Sequence, residues 1–132
     1  MSHRPYLAPQ QVIGPTGNSM AASITSLVTV LQQKSMFSYS FSWSGSSPTG
    51  SLAIQVSNDY ALDSTGKVSN AGTWNTIYFS YGGSTVDSVS VSGSAGNAYI
   101  DIPQCSGFAV RAVYTASGGT GTLTGIFHGK VT

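Results

Sequence analysis

One eight-residue stretch constrains the fold more than any other part of the chain. From Phe37 to Ser44, aromatic residues alternate with serines in the order Phe-Ser-Tyr-Ser-Phe-Ser-Trp-Ser. A period of two places every aromatic ring on one face of a β-strand and every hydroxyl on the other, whereas a helix would scatter the rings around its circumference. The stretch therefore predicts a strand with one buried face and one polar face.

Further alternating stretches, separated by turn residues, follow along the chain. They predict strands at 52–56, 73–81, 86–91, 98–102, 108–114 and 123–131, with turns at 46–50, 82–83, 92–96 and 117–119. An earlier strand at 24–31 is less regular, and a helix there is the competing interpretation. Seven or eight short strands of this kind predict an all-β protein, an antiparallel β-sandwich or jelly roll.

The first 23 residues differ from the rest of the chain. Three prolines fall within the first fifteen residues, and proline neither continues a helix nor donates to a sheet ladder. We expect an extended N-terminal arm over 1–23, followed by a single β-sandwich domain over 24–132. The arm is either a flexible tail or a segment that orders against a neighbouring subunit. In the second case its apolar anchors would be the partner-binding residues Tyr6, Leu7, Val12 and Ile13.

Charge is scarce in this sequence. Only 7% of the 132 residues are charged and the formal net charge is +1, whereas ordinary soluble domains have roughly 25% charged residues. The five cations are scattered singly, which disfavours nucleic-acid binding by counterion release. A surface with so few charges provides little repulsion between copies, and this favours a protein that is part of an assembly.

Cysteine content and targeting signals add further exclusions. Cys105 is the single cysteine, so neither an intramolecular disulfide nor a cysteine zinc site is expected. The sequence contains no apolar run of the roughly 18 residues that a membrane helix needs. The N-terminus does not resemble a signal peptide, and we expect synthesis in a cytoplasm without export.

The search for catalytic chemistry favours a non-enzymatic protein without a cofactor. No Gly-x-Ser-x-Gly elbow occurs, and Asp101 has no identifiable carboxylate partner for glycosidase chemistry. The glycine-rich segment 118–122 lacks the lysine of a phosphate-binding loop and precedes a strand, so a hairpin is expected there.

The insertion at 58–72 is the one long loop that the strand pattern predicts. It contains several oxygen donors that calcium could use, namely Asn58, Asp59, Asp63, Ser64 and Thr65. Their spacing is not that of an EF-hand, and the same residue types are common in turns. We therefore expect turn chemistry and no metal site.

The same loop and its flank could instead bind a carbohydrate, because aromatic rings stack on sugars and polar side chains fix hydroxyls. The possible ligand loop comprises Asp59, Tyr60 and Trp74. The alternative is that both tryptophans, Trp43 and Trp74, belong to the core.

Five short segments, in this order, resemble small virion proteins of tailed bacteriophages. They are LAIQVSND (52–59), GTW (72–74), AYIDI (98–102), AVRAVYT (109–115) and GTGTLT (119–124). The resemblance covers residues 50–132 and leaves the arm outside. It implies a capsid decoration (cement) protein or another head- or tail-associated β-sandwich protein.

The implied function is that of a structural virion protein, assembled in the host cytoplasm and bound to capsid or other virion proteins. We expect it to decorate or stabilise a bacteriophage capsid through its sandwich and its N-terminal arm. The resemblance also implies a homo-oligomer, either a trimer or a dimer. The alternative is a carbohydrate- or receptor-binding module of a phage fibre or tail. A major coat subunit is disfavoured because 132 residues make a single small sandwich.

Overall fold

The computed structural model describes residues 8–32 and 34–131, and each regular element among them is a β-strand. All the strand pairings are antiparallel, which confirms the predicted all-β, sandwich-like fold class. The strands are β1 (Gln10–Ile13), β2 (Ile24–Thr25), β3 (Thr29–Val30), β4 (Lys34–Ser57), β5 (Ala61–Leu62), β6 (Val68–Asn70), β7 (Asn75–Thr76), β8 (Phe79–Tyr81), β9 (Ser84–Val86), β10 (Val89–Val91), β11 (Ala95–Ile102) and β12 (Ala109–Val131).

Two long strands, β4 and β12, organise the whole fold. They pair from Ser57 and Ala109 at one end to Lys34 and Val131 at the other. Other strands add to them at either side, and together they form one eight-stranded sheet. The small pairs β5–β6 and β8–β9 lie outside this sheet.

A sharp bend in the middle divides the β4–β12 ribbon. The register slips between Ala116 and Thr120, and Gly45 approaches Gly121 so closely that a Cβ on Gly45 would lie 2.3 Å from the Gly121 Cα. The turns predicted at 46–50 and 117–119 are therefore wrong, because both strands continue through these residues. Glycine is needed at this bend because the two backbones leave no room for a side chain.

The bend creates two half-sheets, which we call half I and half II. Half I contains residues 34–45 of β4 and 120–131 of β12, with β11 and β1 at its edges. Half II contains residues 49–57 of β4 and 109–116 of β12, flanked by β2 and β3 on one side and by β7 and β10 on the other.

The two halves share one apolar core. Tyr39 of half I is fully buried and lies beside Ser26 of half II, and the Leu27 amide donates to the Val12 carbonyl across the halves at 3.0 Å. Neighbouring aromatic rings in half I have centroids 5.4–6.0 Å apart, in stacked and edge-to-face arrangements. The rings in these contacts are Phe37, Tyr39, Phe41 and Phe127.

The alternation at 37–44 has the predicted result. The exposed fractions of the Phe37, Tyr39, Phe41 and Trp43 side chains are 3%, 0%, 1% and 8%. The serines between them point outwards, with Ser38 half-buried and Ser40, Ser42 and Ser44 exposed.

Three further details differ from the sequence-based expectations. Residues 24–31 form the short strands β2 and β3, so the helix interpretation is wrong. The single strand expected at 73–81 is divided into β7 and β8. The turn predicted at Gly82–Gly83 is confirmed, because it joins β8 to β9. Among the described residues, no helix is long and apolar enough to cross a membrane.

Candidate functional site

The possible ligand loop folds over the outer face of half II. Its start is fixed by Asn58, whose Oδ1 accepts a hydrogen bond from the Phe108 amide at 3.0 Å. Its middle is a turn around Asp63, whose Oδ1 accepts from the Thr65 amide, the Thr65 hydroxyl and the Lys67 amide at 2.8, 2.6 and 3.0 Å. Within 8–32 and 34–131, no group of three or more His, Cys, Asp or Glu side chains could hold a metal ion.

Asp59 joins the two ends of this loop. Its Oδ1 accepts from the Thr73 amide at 2.6 Å and from the Ser57 hydroxyl at 2.8 Å, while its Oδ2 accepts from the Thr73 hydroxyl at 2.9 Å. These bonds, led by the one from the Thr73 amide, hold the pKa of Asp59 below its ordinary value. The carboxylate thus acts as a clasp between the residues on either side of the loop.

Trp74 lies against the sheet with a cation over its ring. The Arg111 Cζ is 4.3 Å from the centroid of the Trp74 ring, and the Tyr60 ring centroid is 5.8 Å from that of Trp74. The indole Nε1 donates to the Ala71 carbonyl at 2.9 Å. The guanidinium Nε of Arg111 donates to the Gln55 Oε1 at 2.8 Å, and partial burial lowers the pKa of Arg111.

We call Gln55, Asp59, Tyr60, Trp74 and Arg111 the loop cluster. The structure brings together the three residues that the sequence predicted and adds Gln55 and Arg111, which it did not. Arg111 and Gln55 are directly opposite in the β12–β4 register, so long-range strand pairing places them here. The available signal was a single cation at an outward position of an otherwise apolar strand.

The loop cluster has the chemistry of a binding surface. Aromatic rings, a guanidinium, an amide and a carboxylate lie side by side, and such groups can stack on a ring and bond to hydroxyls. Arg111 covers one side of the Trp74 ring, and Trp74 is half-buried. The same contacts attach the loop to half II.

The second candidate surface is the outward side of half I, which we call the serine face. Along its centre run the outward serines of β4, with β11 on one side and β12 on the other. Ser40 lies between Tyr99 and Ile126, which are 59% and 38% exposed. Ser38 lies between Asp101 and His128.

A shallow groove of about 320 Å³ lies at the charged end of the serine face. Ser38, Asp101 and His128 line it together with Tyr99 and Lys130. Strand register alone brings Ser38, Asp101 and His128 into one row, although they come from three distant parts of the sequence.

Of the four predicted partner-binding residues of the arm, the structure describes two. Val12 and Ile13 lie in β1 and are only 5% and 3% exposed within their own chain, so in this structure they fill their own core and not a neighbour's groove. Tyr6 and Leu7 lie outside the described residues, and their role stays a prediction.

A further groove, of about 510 Å³, lies near Cys105 between the segments 77–80 and 102–107. Tyr78, at 70% exposure, is at its rim. The Cys105 thiol is half-buried, and its sulfur accepts from the Gly107 amide at 3.5 Å.

No family model matches the chain, and no curated protein matches it in sequence. Among solved structures, the chain is similar to the crystal structure of the SPBc2 prophage-derived protein YomS. The TM-score is 0.60 at 12% sequence identity, with 97% of each chain covered. A likeness at this level of identity establishes a shared fold over nearly the whole chain.

Proposed function

We propose that the protein is a non-enzymatic structural component of a bacteriophage particle, which decorates or stabilises the capsid through its sandwich. The observation that carries the proposal is the hydroxyl-rich outer surface of the sheet, on which charged side chains are few. On β4 the outward positions Ser40, Ser42 and Ser44 are exposed. The serine hydroxyls keep this surface soluble in water, and the surface can be buried against another protein without leaving a charge unpaired.

Two further facts support this proposal. The fold is shared over nearly the whole chain with a prophage-derived protein. Furthermore, only 7% of the residues are charged, so many copies can sit side by side without strong mutual repulsion. Repeated contacts on a lattice then convert weak individual interfaces into durable attachment.

The proposal is tested on particles of the phage that carries the gene. Particles produced without the protein are purified, mixed with the purified chain and sedimented. We expect saturable co-sedimentation with a fixed copy number per particle, and the same chain in wild-type particles by mass spectrometry. Absence from wild-type particles together with no co-sedimentation would contradict the proposal.

Matched serine-to-glutamate variants identify the surface that is buried. Ser40→Glu places a carboxylate on the serine face and Ser90→Glu places one on the outer side of half II, while Ser64→Glu places one in the exposed loop. At least one of the first two should lower occupancy about tenfold or more, a loss of roughly 1.4 kcal/mol. Ser64→Glu should bind like the wild type.

The second candidate function is a carbohydrate- or receptor-binding module, and the loop cluster is the observation that favours it. It groups a half-buried indole, a phenol and a carboxylate on one surface. A glycan array, followed by titration of tryptophan fluorescence, tests this function. Saturable quenching that Trp74→Leu abolishes would support it, and an array without signal would rule it out for the glycans tested.

A further inference from the structure

The residues of the serine face are arranged so that the face complements itself. On its β11 side lie Tyr99 and Asp101, and on its β12 side lie Ile126, His128 and Lys130. Tyr99 on one side therefore has an apolar counterpart in Ile126 on the other, and Asp101 has a counterpart of opposite charge in Lys130. The serine column of β4 separates the two sides.

A two-fold axis that runs along β4, parallel to the face, exchanges the two sides between two stacked copies. In this operation each residue keeps its position along the strand direction, while β11 of one copy comes to lie over β12 of the other. Tyr99 then faces Ile126 of the second copy, and both are exposed apolar side chains in the isolated chain. Asp101 faces the row of His128, within reach of the long side chain of Lys130.

The centre of the face suits such stacking. Each outward serine of β4 meets its own symmetry mate, and hydroxyls both donate and accept, so that like can pair with like directly or through a bridging water. Stacked sheets tolerate this arrangement because aligned packing needs only a modest rotation between them. Two-fold symmetry is also the commonest arrangement of homo-oligomers.

We propose that the serine face binds a second copy of this chain, with the Asp101 carboxylate of each copy paired with the Lys130 ammonium that reaches it from the next outward position of the other. The inference goes beyond the virion role, because the contact is a property of the isolated chain in solution.

The size of the face sets the strength to expect. With strands about 4.8 Å apart and about 3.4 Å per residue, the three strands that this axis superposes, β11, β4 and β12, give about 440 Å² on each copy over residues 36–44 of β4. The dimer then buries about 900 Å² in total, a size that belongs to weak and transient contacts. The isolated dimer is therefore weak and strengthens where copies are concentrated, as on a particle.

The experiment is a charge exchange, measured by sedimentation velocity at protein concentrations up to about 1 mM, a range that reaches weak contacts. The wild type should be in monomer–dimer equilibrium. Asp101→Lys and Lys130→Asp should each be monomeric, because each variant opposes like charges at both symmetry-related contacts. An equimolar mixture of the two variants should dimerise again, since every contact in the heterodimer joins opposite charges.

Controls separate this pairing from an effect of net charge or folding. Asp87→Lys and Lys67→Asp make the same charge changes at exposed positions away from the face and should leave dimerisation unchanged. Circular dichroism and thermal unfolding verify the fold of each variant. Ser40→Glu provides an independent route, because it opposes two carboxylates at the axis, whereas Ser90→Glu does not.

Dimerisation of the wild type with loss in both face variants and recovery in their mixture supports the proposal. A wild type that stays monomeric to about 1 mM overturns it. It is also overturned if the face variants dimerise as the controls do, or if their mixture stays monomeric. Since no particle is involved, failure here leaves the test of the virion role unaffected.

Discussion

The guanidinium of Arg111 lies over the indole of Trp74, with its Cζ 4.3 Å from the ring centroid. This contact joins the sheet of half II to the far end of the loop. A cation over an aromatic face at a partly exposed site contributes about 0.5–1 kcal/mol. The pair therefore accounts for part of the order of a loop that has few buried apolar residues.

A double-mutant cycle measures this contact. Trp74→Leu and Arg111→Met keep apolar bulk but remove the ring and the charge. Urea unfolding of both single variants and the double variant should give a coupling energy of about 0.5–1 kcal/mol. Additive effects would show that the contact contributes nothing to stability.

Gly96 of β11 lies where the ring of Trp43 crosses the strand. A Cβ at this position would be 2.5 Å from the ring, so Gly96→Ala should lower the free energy of unfolding by about 1–3 kcal/mol through overpacking. The neighbouring exposed change Asn97→Ala is the matched control. Adding Trp43→Phe to Gly96→Ala should recover part of the loss, and a Gly96→Ala chain as stable as the control would contradict the packing.

Two fully buried tyrosines provide contrasting tests of hydroxyl pairing. The Tyr114 hydroxyl donates to the Thr49 carbonyl at 2.9 Å, whereas the Tyr39 hydroxyl lies beside Ser26 without a well-formed hydrogen bond among the described residues. Tyr114→Phe should cost about 1 kcal/mol, while Tyr39→Phe should change the free energy of unfolding by less than about 0.5 kcal/mol. Equal losses in the two variants would contradict this difference.

Burial also raises the pKa of Tyr39 far above its ordinary value, so its hydroxyl is protonated at neutral pH. The two tyrosine variants can therefore be compared at neutral pH without a contribution from ionisation.

Acid should release the clasp at Asp59. Because the folded chain holds the pKa of this carboxyl below its ordinary 3.8, the ionised form contributes stability above about pH 4, which is lost as the pH falls through the lowered pKa. The difference in stability between the wild type and Asp59→Asn should therefore be largest near neutrality and shrink below about pH 4. Asp87→Asn serves as the exposed control, and a difference that does not change with pH would contradict the clasp.

Truncation separates the N-terminal segment into two parts. Removing residues 1–9 leaves β1 and Met20 in place, so this truncation should melt well above one that removes them. Removing residues 1–20 deletes β1 and Met20, which is fully buried, and should cost several kcal/mol because a core residue of this size costs about 2–5 kcal/mol when truncated. Equal melting temperatures for the two truncations would contradict the placement of β1.

Local pattern was sufficient to predict the strand class and the buried aromatic face. The alternation at 37–44 predicts the buried face without information from distant residues, because the period of two alone determines which side chains of a strand share a face. Asp59, Tyr60 and Trp74 could also be grouped from sequence, because they stand at the two ends of one loop whose ends meet.

Other features depend on pairing between distant residues. Turn residues such as Ser46 or Gly118 mark a change of direction, but the opposite strand decides whether the chain reverses or only bends. The partnership of Arg111 with Gln55 and the row of Ser38, Asp101 and His128 depend on strand register. Register is not visible in any local window of the sequence.

The full-length pairing of β4 with β12 also determines the order in which the chain can fold. Even its closest partners in sequence, Ser57 and Ala109, are separated by several strands, and such non-local pairing is slow to form. During synthesis the aromatic face of β4 stays uncovered until β12 has left the ribosome. Where many chains are made together, β12 of a neighbour could pair with the waiting strand, so domain exchange is the characteristic misfolding risk of this architecture.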